Sequence, residues 1–269
     1  MSATSTVVKK TARAALKDNW VEAIFIGAIL LFSHLALYIA TSLLSFVLPD
    51  AAVYILMIIS TVTVVLPLTL GAFRCFWLIM WDKKGIIGET FYYFSSKDTY
   101  FKALKLFWLL CFKALCIGIV LLIPSVITDV LSSAKIYELF NFSAPSWASN
   151  LWVVSIFLKT AAGIGLLIIM VKYYLAPFLI IADEKMDVRE AIHKSTLLSK
   201  ATGVDFIALV LSFIGWIILS LLVFPLLATI PYFMVSYMVH SRFSVANYNK
   251  VVKQLENTAS ECDFTDEGF

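Results

Sequence analysis

The chain has 269 residues, of which 61% are hydrophobic and 14% are charged, and its formal net charge is +3. Its mean hydropathy is +0.91, whereas a soluble domain usually carries about 25% charged residues. This composition excludes an ordinary soluble domain, and the small, dispersed positive charge excludes a nucleic-acid-binding protein. The sequence therefore predicts an integral membrane protein whose partners are membrane lipids and another membrane protein.

Apolar runs of the length needed for a transmembrane helix recur along the chain. They predict an all-α bundle of six spans, arranged as three helical hairpins with cytoplasmic amphipathic segments. In the last hairpin Thr229 is expected to cap span six, with Pro231 in its first turn. The predicted spans cover about residues 21–48, 51–81, 104–131, 150–182, 206–226 and 229–243, which form one membrane domain (1–243) followed by a cytoplasmic tail (244–269).

Lysine and arginine residues concentrate on one side of this predicted bundle. They lie before span one, between spans two and three, in the charged connection 183–205 between spans four and five, and after span six. The predicted outer loop, 132–149, has Lys135 as its single basic residue. Because short cytoplasmic loops carry the excess of Lys and Arg, both termini of this cell-membrane protein are predicted to be cytoplasmic.

Three basic residues, Arg74, Lys113 and Lys159, fall inside predicted spans. A charge at the bilayer centre costs about 2.5–3.5 kcal/mol on insertion scales, so each needs an explanation. Their long side chains can reach the headgroups, or they can line a polar cavity for an anionic ligand such as a lipid phosphate or a peptide carboxylate. The residues of this candidate ligand site are His34, Arg74, Lys113, Lys159, Tyr173 and Tyr174.

Prolines inside predicted spans are a second unusual feature. Pro67, Pro124 and Pro177 each remove a backbone hydrogen bond and can kink a helix. Kinked helices occur in transporters and also in membrane helices without moving parts. The sequence contains no metalloprotease motif, phosphate loop or nucleophile elbow, and its four cysteines lack metal-site spacing. No enzymatic activity, catalytic residue, metal site or cofactor is therefore predicted.

Several short motifs carry a family resemblance. They are residues 67–71 (PLTLG), 173–182 (YYLAPFLIIA), 191–195 (AIHKS), 211–216 (LSFIGW) and 231–232 (PY). Together they resemble a family of bacterial integral membrane proteins catalogued as domain of unknown function 975. The resemblance implies a multi-span architecture and a bacterial cytoplasmic-membrane location, and it implies no activity or catalytic residues.

Two functional classes remain open from the sequence. The first is a non-enzymatic accessory or scaffold protein of the cell envelope, whose amphipathic cytoplasmic segments contact lipids or a partner. The second is a transporter or lipid-binding protein with the basic intramembrane cavity described above. The first class predicts a closed, well-packed bundle in which Arg74, Lys113 and Lys159 point at lipid. The second predicts that at least two of these residues converge on a water-accessible cavity.

Overall fold

The computed structural model describes residues 5–81, 86–133, 137, 147, 150–220 and 223–263; of residues 223–224 and 251–263 it describes the helical backbone. All regular elements in this part of the chain are helical, which confirms the predicted all-α fold class. The α-helices are α1 (Ser5–Leu16), α2 (Trp20–Leu44), α3 (Asp50–Ser60), α4 (Leu66–Ile79), α5 (Lys97–Ser132), α6 (Leu151–Met170), α7 (Ala176–Ala182), α8 (Val188–Leu211), α9 (Ile214–Leu219) and α10 (Val223–Asp263).

Five helical stretches in the described residues are long and apolar enough to cross a membrane. They are Trp20–Leu44, Asp50–Ile79, Lys97–Ser132, Leu151–Ala182 and Val188–Leu219. The predicted sixth span, 229–243, lies within α10, which is not one of these five. The count of six spans and the cytoplasmic location of the termini stay predictions, and the predicted outer loop with Lys135 lies largely outside the described residues.

The chain divides into two compact units. The first contains Met1–Phe107 and Tyr173–Phe269, and the second contains Trp108–Lys172. The first unit has the larger buried core, to which α4, α7, α8 and α10 contribute side chains such as Phe76, Phe178 and Val235. The amphipathic helix α1 also belongs to this unit and buries Val8, Ala12 and Leu16. These three residues recur every four positions, so they form one helical face.

The charged connection predicted at 183–205 is mostly helical. Helix α8 begins at Val188, eighteen residues before the predicted start of span five at Phe206. Asp187 caps this helix, because its side chain accepts a hydrogen bond from the Arg189 backbone N–H. Buried residues including Ala191, Ile192, Ser195, Leu198 and Ser199 then recur on one face. Most of the charged connection between predicted spans four and five therefore lies in an amphipathic helix.

The predicted helix start at Thr229, before span six, is wrong. Helix α10 begins at Val223 and continues to Asp263, so Pro231 lies inside it and the helix passes the predicted end at residue 243. Thr229 does not cap a helix start; its hydroxyl donates to the Pro225 carbonyl at 2.9 Å. A hydrophobic helix tolerates an internal proline where side chains and neighbouring helices satisfy the freed backbone groups.

Two of the predicted proline kinks coincide with irregular backbone. A π-helical turn, Thr61–Val65, precedes Pro67, and a 3₁₀ turn, Val171–Tyr173, precedes Pro177. Pro124 instead lies inside the uninterrupted helix α5. π-Bulges and short 3₁₀ turns are recognised causes of local helix bending. At these two turns the regular α-helical hydrogen bonding is interrupted. Backbone groups there therefore require hydrogen-bond partners from outside their own helices.

Candidate functional site

Arg74, on α4 in the first unit, pairs with two carboxylates. Its Nε donates to Glu89 Oε2 at 2.9 Å, and its Nη1 donates to Glu184 Oε1 at 2.5 Å. The Arg74 side chain is 17% exposed, whereas those of Glu89 and Glu184 are 40% and 54% exposed. We call Arg74, Glu89, Glu184 and the adjacent Tyr92 the Arg74 cluster.

Tyr92 completes this cluster through its aromatic face. The Arg74 guanidinium carbon lies 3.8 Å from the centre of the Tyr92 ring, which is within the range of a cation–π contact. The hydrogen bond from Arg74 lowers the pKa of the Glu184 carboxyl, and burial raises the pKa of the Tyr92 hydroxyl. With one guanidinium and two carboxylates, the cluster has a formal charge of minus one when all three groups are ionised.

A close backbone approach positions Glu89 and Tyr92 beside Arg74. Both belong to a 3₁₀ segment, Ile86–Phe94, which packs across α4. A Cβ atom at Gly71 would lie 1.9 Å from the Thr90 carbonyl oxygen, so this crossing requires glycine. The Cys75 thiol donates to the Ile86 carbonyl at 3.2 Å and lies 3.3 Å from the Thr90 hydroxyl. Hydrogen bonds and tight packing together fix the segment to α4.

The connection between α7 and α8 is held by two lysines at the start of α5. Lys102 Nζ donates to the Glu184 carbonyl at 2.5 Å, and Lys105 Nζ lies 2.7 Å from Asp187 Oδ1. Residues three apart on a helix lie on one face, so both lysines reach the same connection. The Lys105 hydrogen bond, assisted by backbone N–H donors, lowers the Asp187 pKa from 3.8 to about 2. The connection is therefore fixed to α4 through Arg74 and to α5 through both lysines.

The described contacts of Arg74 differ from both explanations given by the sequence. Instead of extending to headgroups or lining an open basic cavity, Arg74 pairs with Glu89 and Glu184. Both carboxylates lie in segments between candidate spans, and chain folding brings them to α4. Counting acidic residues inside the predicted spans could not have found these partners. The sequence signal that could have found Glu89 and Glu184 is that both lie in connections next to predicted spans.

Lys113 and Lys159 lie in the second unit. Lys159 Nζ lies 2.7 Å from Asp129 Oδ2, and the Ser155 hydroxyl donates to the same carboxylate. Lys113 is partly buried on α5. The positive charge of Lys159 is thus balanced by a carboxylate from the neighbouring stretch of its own unit.

His34 and Tyr174, two of the other predicted ligand residues, bond within the protein. His34 is exposed, and its Nδ1 lies 2.8 Å from the Leu30 carbonyl in its own helix. The Tyr174 hydroxyl lies 2.9 Å from the Thr202 hydroxyl, and its ring stacks on Phe206 at a centroid distance of 4.1 Å. The Tyr174 side chain is therefore packed within the first unit, and a ligand site that includes His34 and Tyr174 stays a prediction.

The backbone beside Tyr173 and Tyr174 receives two side-chain hydrogen bonds. Ser195 Oγ accepts from the Leu175 backbone N–H at 3.2 Å, and the Tyr237 hydroxyl donates to the Tyr174 carbonyl at 2.5 Å. Tyr173 itself is partly buried at the end of the 3₁₀ turn before Pro177. Ser195 on α8 and Tyr237 on α10 therefore stabilise the irregular backbone of the predicted fourth span, a role the sequence did not reveal.

A protein-family model matches most of the chain. The model described as "Protein of unknown function (DUF975)" matches residues 1–246. The chain belongs to this family. The resemblance inferred from the short motifs is thereby confirmed, and Gly71, Tyr174 and Ser195, whose structural contacts are described above, all lie in those motifs. The comparisons with curated proteins and with solved structures gave no match.

Proposed function

We propose that this member of the DUF975 family is a non-enzymatic accessory or scaffold protein of the cell envelope. The observation that carries the proposal is the pairing of Arg74 with Glu89 and Glu184. A cluster with two carboxylates and one guanidinium does not attract an anionic ligand. Arg74 instead joins α4 to two connecting segments and so stabilises the arrangement of the helices.

The 3₁₀ segment fixed by the Arg74 cluster supplies a surface for this role. Phe91 and Phe94 on this segment are 53% and 40% exposed, and Phe101 at the start of α5 is 63% exposed. Aromatic side chains suit the membrane–water interface and are also enriched in protein–protein interfaces. A partner membrane protein that meets this aromatic surface would contact a segment that α4 already holds in place.

A second candidate function is a transporter or lipid-binding protein. The irregular turns before Pro67 and Pro177 favour it, because helix breaks of this kind also occur in moving membrane helices. In this alternative the basic residues of the predicted cavity would rearrange to face water and bind an anion. The ion pairs that Arg74 forms with Glu89 and Glu184, and that Lys159 forms with Asp129, argue against it.

Site-specific photo-crosslinking in native membranes tests the accessory role. A photoreactive amino acid at Phe91 is expected to give a discrete protein adduct that disappears when the partner is depleted. The matched control is Phe46, which is 85% exposed and lies just after α2, and it is expected to give no such adduct. Equal adducts from both positions, or protein-dependent uptake of labelled phosphate by proteoliposomes, would contradict the proposal.

A further inference from the structure

A cleft of about 600 Å³ lies between α1 and α10 in the first unit. Val7, Thr11 and Ala15 line one wall; they recur every four residues and lie beside the buried face of α1. Val239, Phe243 and neighbouring residues of α10 line the other wall. Ligand-binding pockets in proteins commonly have volumes of about 300–1,000 Å³, so the cleft is large enough for part of a lipid molecule.

Two cationic groups, Arg242 and Lys250, also line the cleft. The Arg242 guanidinium carbon lies 4.3 Å from the centre of the Trp81 ring, so the indole covers one face of the cation. The N–H donors of a guanidinium point outward in the plane of the group, so an arginine held over an indole can still bind a phosphate in bidentate fashion. Among the described residues no carboxylate lies within ion-pair distance of Arg242 or Lys250.

The cleft differs in this respect from the Arg74 cluster. Two carboxylates neutralise Arg74, whereas the described lining of the cleft combines cations with apolar side chains and no acidic residue. Met80 also lines it, directly after the candidate span Asp50–Ile79. A cleft that is cationic and apolar at the end of a span is suited to a ligand with an anionic head and a hydrocarbon body.

We propose that this cleft binds one anionic phospholipid, with its phosphate at Arg242 and Lys250 and an acyl chain along the apolar walls. Charge complementarity selects the anionic headgroup, and the apolar walls select a lipid over a free phosphate. The occupied cleft would join α1 to α10 through the lipid. Its lining residues are different from those of the Arg74 cluster, so lipid binding does not depend on the proposed accessory role.

Native mass spectrometry of the full chain in detergent tests this proposal. Phosphatidylglycerol is titrated against phosphatidylcholine with identical acyl chains. We expect one phosphatidylglycerol molecule to bind about tenfold more tightly than phosphatidylcholine, because charge-assisted hydrogen bonds to phosphate are the stronger ones. Equal binding of the two lipids would overturn the proposal. Glycerol 3-phosphate supplies the same anionic chemistry without acyl chains, and full competition by it at equal concentration would also overturn it.

Substitutions locate the bound lipid. Arg242→Gln and Lys250→Gln are each expected to weaken phosphatidylglycerol binding several-fold, and Ala246→Trp is expected to weaken it by filling the cleft without changing the charge. Lys250 is exposed, so its substitution leaves the fold intact. The matched control is Arg189→Gln, which removes the same charge from an exposed residue outside the cleft. Binding that falls equally in the control variant would contradict a site at the cleft.

Discussion

The Tyr100 hydroxyl donates a 3.0 Å hydrogen bond to the Thr63 carbonyl. Thr63 lies in the π-helical turn four residues before Pro67. In an α-helix this carbonyl would accept from the N–H of residue 67, which proline lacks. A side chain from α5 therefore satisfies a backbone acceptor that the sequence of the second predicted span leaves without its usual donor.

This relationship gives the first prediction. Tyr100→Phe should lower the free energy of unfolding by about 1 kcal/mol, because it removes the hydroxyl donor and leaves a backbone acceptor unsatisfied. The expected decrease in melting temperature in detergent is about 2–4 °C. The matched control is Tyr54→Phe. Tyr54 is 63% exposed, and its hydroxyl makes no such hydrogen bond to the residues that the structure describes.

A double-mutant cycle tests whether the stability depends on the Tyr100 hydroxyl because Pro67 lacks an N–H. Pro67→Ala restores an N–H that can donate to the Thr63 carbonyl. In that background Tyr100→Phe should cost less stability than in the original protein, with a coupling of about 0.5 kcal/mol or more. Strict additivity of the two substitutions would show that the hydroxyl does not replace the missing donor.

Gly71→Ala should be strongly destabilising. The added Cβ would lie 1.9 Å from the Thr90 carbonyl oxygen, so the 3₁₀ segment and α4 would have to separate. We expect a loss of about 2 kcal/mol or more, measured by thermal or denaturant unfolding. Gly163→Ala is the matched control, because nothing lies within 4 Å of its added Cβ. That helical control should be neutral or stabilising by up to about 1 kcal/mol.

Arg74→Gln should lower stability by about 1–3 kcal/mol, since it removes two charge-assisted hydrogen bonds and a cation–π contact. Arg74→Lys should restore only part of this loss, because a lysine does not bond both carboxylates in the same geometry. Unfolding measurements are compared with Arg189→Gln, an exposed control of equal charge change. Equal effects of the Gln substitutions at positions 74 and 189 would refute a structural role for the Arg74 cluster.

The Asp187–Lys105 pair should produce a pH dependence at the acidic end. The Lys105 hydrogen bond lowers the folded-state pKa of Asp187 to about 2, below its ordinary value of 3.8. The stabilisation is therefore complete above pH 3.8 and is lost as the pH falls through about 2. Asp187→Asn keeps an N-cap acceptor but removes the charge, so its melting temperature should fall less across this window.

The control for this pH experiment is Asp18→Asn. Asp18 is exposed, precedes α2 and has no ion pair among the described residues. Its substitution should leave the acid dependence of the melting temperature as it is in the original protein. If Asp187→Asn and Asp18→Asn have the same acid dependence, the Lys105 hydrogen bond does not contribute to it.

The sequence by itself determined the all-α class and the approximate position of the apolar helices. Both follow from composition and from local runs of apolar residues, because a helix satisfies its own backbone hydrogen bonds. It also located the residues that disturb these helices, since Pro67 and Pro177 lack an N–H wherever they lie. The sequence did not predict that helices begin at Val188 and Val223. Asp187 caps the first of these helices and the second tolerates Pro231 in its interior, so both extend beyond their hydropathy signal.

Only the tertiary structure decided which side chains meet the groups that these local signals leave unsatisfied. Arg74 meets Glu184 across 110 positions, and Tyr100 meets the Thr63 carbonyl across 37 positions. Such pairs depend on how helices pack, and residue type or periodicity does not encode a partner at that separation. The sequence showed that a buried charge and a proline-freed carbonyl required partners. The packing of α4, α5 and their connecting segments supplied them, because desolvated polar groups are costly unless paired.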